Sequence, residues 1–223
     1  MRIAYDRNLV GIGSPLIRPY TMRIFLAGVS CVGKTTIGAK LADRLGFRFF
    51  DLDAEIEGFF GTPIDRLMKR HLTMNTFRNT AAQALKHTLS LDDSANCVIA
   101  LPPSGLLSGY WKVVKNVPDA TIVVLWDKPE NILKRITFYD DDSRLMERIL
   151  TDREKTYYLR KIKEDISYFK VSFRRAHMSI DITGCNPDAA ACKVRDALIQ
   201  SPLAPGKLLT RGVQDGRGGT AAL

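Results

Sequence analysis

The chain has 223 residues, 45% hydrophobic and 26% charged, with a net charge of +9, the proportions of an ordinary globular protein long enough to bury a core. No run approaches the ~20 apolar residues of a membrane span, and the positive surplus stands beside no recognised nucleic-acid motif, so neither membrane nor nucleic acid is expected as a partner. Cys31, Cys97, Cys185 and Cys192 show no C-x-x-C pairing and no zinc spacing, which points to a reducing, cytoplasmic setting.

Residues 1–21 lack periodicity and contain Gly11, Gly13, Pro15 and Pro19. They read as an N-terminal extension, and Met22, directly before the first strand, is the expected start of translation; the intact mass of the native protein tests this. Arg23 to Ala27 is a short apolar run suited to a buried strand. It leads into Gly28-Val29-Ser30-Cys31-Val32-Gly33-Lys34-Thr35, which fits G-x-x-x-x-G-K-[ST], the phosphate-binding loop of nucleoside triphosphate enzymes. Thr35 to Leu45 repeats apolar residues on one helix face at Ile37, Leu41 and Leu45, and Gly46 is a suitable stop. Each loop residue has a task in that setting. Gly28 and Gly33 allow a tight turn that brings backbone N–H groups, including those of Ser30, Val32 and Thr36, onto phosphate oxygens. Lys34 can reach the β- and γ-phosphates, and the Thr35 hydroxyl can ligate Mg²⁺. ATP and Mg²⁺ are therefore the expected cofactors.

Phe47 to Asp53 reads as a strand ending in two aspartates, followed by a helix over 54–60 that Gly61 breaks. Thr62-Pro63 starts a helix through about His71, and Thr73 to Leu89 forms another with Phe77, Ala81, Leu85 and Leu89 on one face. Cys97 to Leu101 is a buried strand with the loop Pro102-Pro103-Ser104-Gly105 after it. Thr121 to Trp126 is the clearest strand, and Asp127 with Glu130 is expected to box the start of a helix to about Tyr139. The polar stretch 140–144 interrupts the pattern. A long helix from about Asp152 carries Ile162, Ile166, Phe169, Phe173 and Ala176; a short strand, 179–182, and a helix capped by Asn186 end the sequence of elements. The Gly- and Pro-rich tail, 201–223, is expected to be disordered. Strands alternating with helices predict an α/β fold with a five-stranded parallel sheet covered on both faces. The domain is expected over 22–200 with a small lid at about 139–155, and as a monomer.

A phosphate loop alone does not choose among ATPases, GTPases and small-molecule kinases. The absence of N-K-x-D, a base-reading motif, and the pair Asp51 and Asp53 favour a kinase. On a strand, residues two apart share a face, so both carboxylates are expected to look into the phosphate crevice. One would hold Mg²⁺ and the other would orient or deprotonate a substrate hydroxyl.

The loop, Leu41-Ala42, Leu45-Gly46, Phe49-Phe50-Asp51-Leu52-Asp53, Glu55-Ile56-Glu57, Gly61-Thr62-Pro63-Ile64, Phe77-Arg78 and Val123 to Asp127 with Pro129-Glu130 resemble the shikimate kinase family. The resemblance covers roughly residues 22–200 and is specific over 22–80. It implies Asp51 as the Mg²⁺-side acid, Asp53 as the ligand of the shikimate hydroxyls, and Arg78 as the grip on its carboxylate, a bidentate task for an Arg fork. Three departures accompany it. Pro102-Pro103-Ser104 stands where the family has three glycines lining the substrate pocket. Ala81 stands where an acid follows Phe-Arg. Asp140 to Arg144 stands in place of the Arg-Pro-Leu-Leu of the lid, leaving Arg144 as the lid arginine expected to neutralise the transferring phosphoryl group, with Arg148 and Arg153 as alternatives. Arg160 is the candidate for a second carboxylate-binding arginine. The expected reaction is ATP-dependent phosphorylation of a small carboxylated polyol, shikimate first. A kinase for gluconate or a nucleoside monophosphate, and a non-catalytic nucleotide-binding protein, are the other readings.

Overall fold

The computed structural model describes residues 21–201; the expectations placed on 1–20 and 202–223 lie outside the described residues. The first strand, β1 (Met22–Ala27), sends alternate side chains to opposite faces. Ile24 and Leu26 join a core that includes Leu41, Ile162 and Val194, whereas Phe25 joins one that includes Phe77, Leu85 and Tyr110. Near-continuous burial of this kind is what a parallel sheet covered on both sides requires. Four further strands complete it: β2 (Arg48–Asp51), β3 (Asn96–Ala100), β4 (Ala120–Trp126) and, last in the chain, β7 (Met178–Asp181). Their order is β2-β3-β1-β4-β7, and every pairing is parallel. The expected fold class is the observed one.

On one face lie α1 (Lys34–Leu45), α7 (Asp152–Phe173) and α8 (Pro187–Gln200). Gly46 ends α1 in the left-handed conformation, with its N–H on the last-turn carbonyls. Thr151 and Glu154 form a capping box for α7, and Asn186 caps α8 through the Ala189 N–H. The other face is covered by α2 (Leu52–Phe60), α3 (Ile64–Lys69), α4 (Met74–Ser90) and α5 (Ser108–Val114).

Residues 108–114 form α5, which follows β3. Two local expectations are corrected. Asp127 and Glu130 do not box a helix: the N-cap of the short α6 (Pro129–Leu133) is Lys128. The Asp127 carboxylate, almost fully buried, instead accepts from the Lys128 N–H, the Asn131 amide and the Arg135 guanidinium. The helix expected to run to Tyr139 stops at Leu133, and β5 (Phe138–Tyr139) pairs antiparallel with β6 (Leu145–Met146). The polar stretch between them is the hairpin turn. Its Asp140 carboxylate accepts from the N–H groups of Asp142 and Arg144, which is how a short acidic side chain closes a loop.

Candidate active site

The sheet order turns at β1, which has β3 on one side and β4 on the other. Parallel sheets place their ligand crevice at the carboxyl end of such a strand, and the loop 28–35 occupies that place. Gly28 has φ 141, and a Cβ there would stand 2.7 Å from the carbonyl oxygen of Leu125, so the turn admits only glycine. Gly33, at φ 110, precedes α1 without any side-chain cap. The first N–H groups of the helix are therefore free to meet an anion, with the helix dipole behind them. Val32 is anchored in the core, while Ser30, Thr35 and Thr36 are exposed at the rim.

The Lys34 ammonium donates to the carbonyls of Gly28 at 2.9 Å and Val29 at 2.8 Å. Burial lowers its pKa from 10.5 to about 8, opposed by the charges of Asp53, Cys31 and Asp51. Arg135, which sequence reasoning missed, braces this loop. It donates from Nε to the Cys31 carbonyl at 3.2 Å and pairs with the buried Asp127. Cys31 holds a left-handed φ of 57, an unusual conformation for a side-chain-bearing residue.

Asp51 ends β2 and is the N-cap of α2. One carboxylate oxygen accepts the Asp53 N–H at 3.1 Å, and the other accepts the Thr35 hydroxyl at 2.6 Å. Asp53 is accordingly in the first turn of α2, so the expectation that both aspartates share a strand face is wrong. They still converge, because the helix begins on the residue after Asp51. Burial first, and then the Asp51 charge, push the Asp53 carboxyl from 3.8 up to about 6, with Lys34 opposing. A carboxylate ready to take a proton near neutrality thus stands beside the phosphate-loop lysine.

Arg78 lies on α4, whose start is fixed by a Thr73–Thr76 capping box. It is 9% exposed, and its Nε has no hydrogen-bond partner. A solvated helix arginine is thereby excluded. Ala81, in the place of the absent acid, is a fully buried core residue. Facing Arg78 across the helix pair is α5, which contributes a second residue missed from the sequence. Tyr110 is fully buried, and its hydroxyl is also without a partner. Burial raises the Tyr110 pKa, with Asp53 adding to the rise and Arg78 opposing it.

The hairpin tip reaches across to α2 and α3. Asp142 pairs with Arg66, Asp141 with Lys69 at 2.6 Å, and Ser143 bonds Glu57. Arg144 is exposed in the hairpin. Arg148 lies 5.0 Å from the Phe138 ring and pairs with Glu154. Arg153 is exposed at the start of α7, and Arg160 stacks on Tyr157 and pairs with Glu164. Arg148 and Arg160 thus have their partners in the hairpin and α7.

A phosphate loop at the turning point of a five-stranded parallel sheet, with a carboxylate of raised pKa beside its lysine and a hairpin paired to α2 and α3, defines a P-loop kinase. The profile described as "SKI: Shikimate kinase" matches residues 30–193, and the chain belongs to the shikimate kinase family. It is 28% identical over 173 residues to the shikimate kinase of Salinibacter ruber, covering 75% of this chain and 80% of that one. With the shikimate kinase of Neisseria gonorrhoeae it shares 30% over 125 residues, 53% of this chain and 67% of the relative. Its fold is similar to that of shikimate kinase from Bacteroides thetaiotaomicron, with TM-score 0.64, 20% identity, and coverage of 80% of this chain and 99% of that one. A second solved structure, the Acinetobacter baumannii shikimate kinase in complex with shikimate, gives TM-score 0.61 at 22% identity, covering 80% and 93%.

Proposed function

We propose that this protein transfers the γ-phosphoryl group of ATP to a hydroxyl of shikimate, in the cytoplasm. The observation that carries the reading is Asp53, held at the mouth of the phosphate loop with its pKa near 6 and Lys34 as its counter-charge. The family to which the chain belongs supplies the choice of acid.

Each step falls to residues of this chain. The N–H groups around Gly28, Ser30, Val32, Gly33 and Thr36 surround the phosphates, and Lys34 exchanges the two loop carbonyls for β- and γ-phosphate oxygens. Thr35 Oγ1 and the Asp51 carboxylate, 2.6 Å apart, would hold Mg²⁺, and two oxygen ligands suit an ion that keeps water and phosphate for its other positions. When bound there, the ion would supply positive charge against the negative charge that develops on the transferring phosphoryl group. Asp53 accepts the hydroxyl proton as the oxygen attacks, Arg78 anchors the carboxylate, and Arg144 comes over the phosphates with the hairpin.

A coupled ADP-release assay with shikimate, gluconate, CMP and AMP tests this reading. Turnover with shikimate is expected. Turnover with gluconate alone would defeat the assignment of substrate, and ATP binding without turnover of any acceptor would defeat the kinase.

A further inference from the structure

Two buried side-chain polar atoms among the described residues have no hydrogen-bond partner, the Nε of Arg78 and the hydroxyl of Tyr110. Buried polar groups are nearly always paired, and leaving one unpaired costs stability, so each such exception asks for an explanation. Here the two exceptions are neighbours on facing helices. Gly109 lets α5 rest directly on α4: a Cβ at 109 would stand 2.6 Å from the Cα of Asn79 and 2.7 Å from the carbonyl of Arg78. The next residue, Tyr110, is thereby set against Arg78. Its hydroxyl lies within electrostatic reach of both Asp53 and Arg78. The proposed hydroxyl-handling carboxylate and the proposed carboxylate-binding guanidinium thus share Tyr110 as a common neighbour.

Pro102 and Pro103, which follow β3 in the chain, have no N–H to offer a ligand. The Tyr110 O–H and the Arg78 Nε–H are both donors, both lack an acceptor, and one carboxylate oxygen can accept from two donors at once.

We infer that Tyr110 is a specificity-determining residue of the acceptor subsite, its hydroxyl and the Nε of Arg78 jointly receiving the carboxylate of the bound hydroxy acid. Small side-chain shifts of the kind common on binding bring the acid into contact with the two donors. This inference rests on the proposed phosphorylation of a hydroxy acid.

The test is Tyr110→Phe, which keeps the ring and removes only the hydroxyl, assayed in the full chain with shikimate and with its methyl ester as acceptors. A hydrogen bond to a charged acceptor is worth about tenfold or more in affinity. The KM for shikimate is expected to rise by about that factor, with kcat and the KM for ATP changing much less. The loss is expected to shrink with the ester, which has no carboxylate charge. The melting temperature should hold or rise, because a buried orphan has been removed. A shikimate KM within about twofold of wild type would overturn the inference, as would a fall in melting temperature accompanied by parallel losses with both acceptors. Wild-type protein that fails to phosphorylate shikimate overturns the substrate assignment itself, and this inference with it.

Discussion

Asp53→Asn should make the protein more stable and nearly inactive. The Asp53 carboxyl has a folded pKa of about 6 against an ordinary 3.8, raised chiefly by burial and then by the Asp51 charge. A raised pKa means that the folded state binds the proton more tightly than the unfolded chain. The fold is therefore favoured below pH ~4 and loses that advantage as pH climbs through 6. A shift of about two units corresponds to ~3 kcal/mol once both states are ionised, and partial access of solvent to the side chain trims this to roughly 2–3 kcal/mol. At pH 8 the amide, which has no charge to bury, should recover that amount, raising the melting temperature by about 5–10 °C for a chain of this size. At pH 5 about half of the gain should remain. Urea or thermal melts of both proteins at the two pH values measure it, beside turnover, which should fall by at least ~10²-fold for loss of a positioned base. A gain that does not depend on pH, or no gain, would refute the burial account of Asp53. Retained turnover would refute its role as base.

The same groups set a pH window. The kcat/KM for ATP and acid should fall below about 6, where Asp53 is protonated, and above about 8, where Lys34 loses its charge; a profile flat across that range would argue against both assignments. Arg78→Lys should raise the KM for the acid by about 10- to 100-fold while leaving the KM for ATP near wild type, since the planar fork proposed to hold the carboxylate is lost and the phosphate loop is untouched. Gly109→Ala should cost about 1–3 kcal/mol in denaturant unfolding, because its Cβ would meet the backbone of α4. Stability equal to wild type would show that the two helices part easily. Asp141→Asn with Asp142→Asn should lower stability by less than ~1 kcal/mol, as exposed ion pairs contribute little. Its effect should appear instead as a higher acceptor KM that 0.5 M salt mimics in wild type; equal KM values would mean that hairpin docking does not assist binding.

The phosphate loop and the alternation of strands and helices were legible because their signals are local: glycine spacing, apolar period and stop residues. Asp51, Asp53 and Arg78 stood out in the sequence by motif and residue type, but the shared strand face expected of the two aspartates is not what the fold builds. Asp51 caps a helix that begins at Leu52, and a capping carboxylate at the end of a strand looks in sequence like one more strand residue. Tyr110 could not be singled out. Helix α5 is seven residues long with Gly109 in its first turn, too short for a periodic signal, and an apolar Tyr reads as core, which in part it is. Arg135 escaped for a different reason. Its meaning depends on Asp127 and the Cys31 carbonyl, which are 8 and 104 residues away in the chain, and only the folded sheet brings them together. The hairpin at 138–146 was hidden by strands of two residues each.

Gly109 divides the proposed acceptor side into a part that can vary and a part that cannot. With the backbones of α4 and α5 in direct contact there, no side chain can be inserted between them, and the distance from Arg78 to the helix opposite is a fixed dimension of the scaffold. Adjustable chemistry is confined to what projects from that frame, namely Tyr110 and the loop 102–104. A chain redesigned to accept a different acid would keep its glycine and its arginine, and would be retuned at those few neighbouring positions.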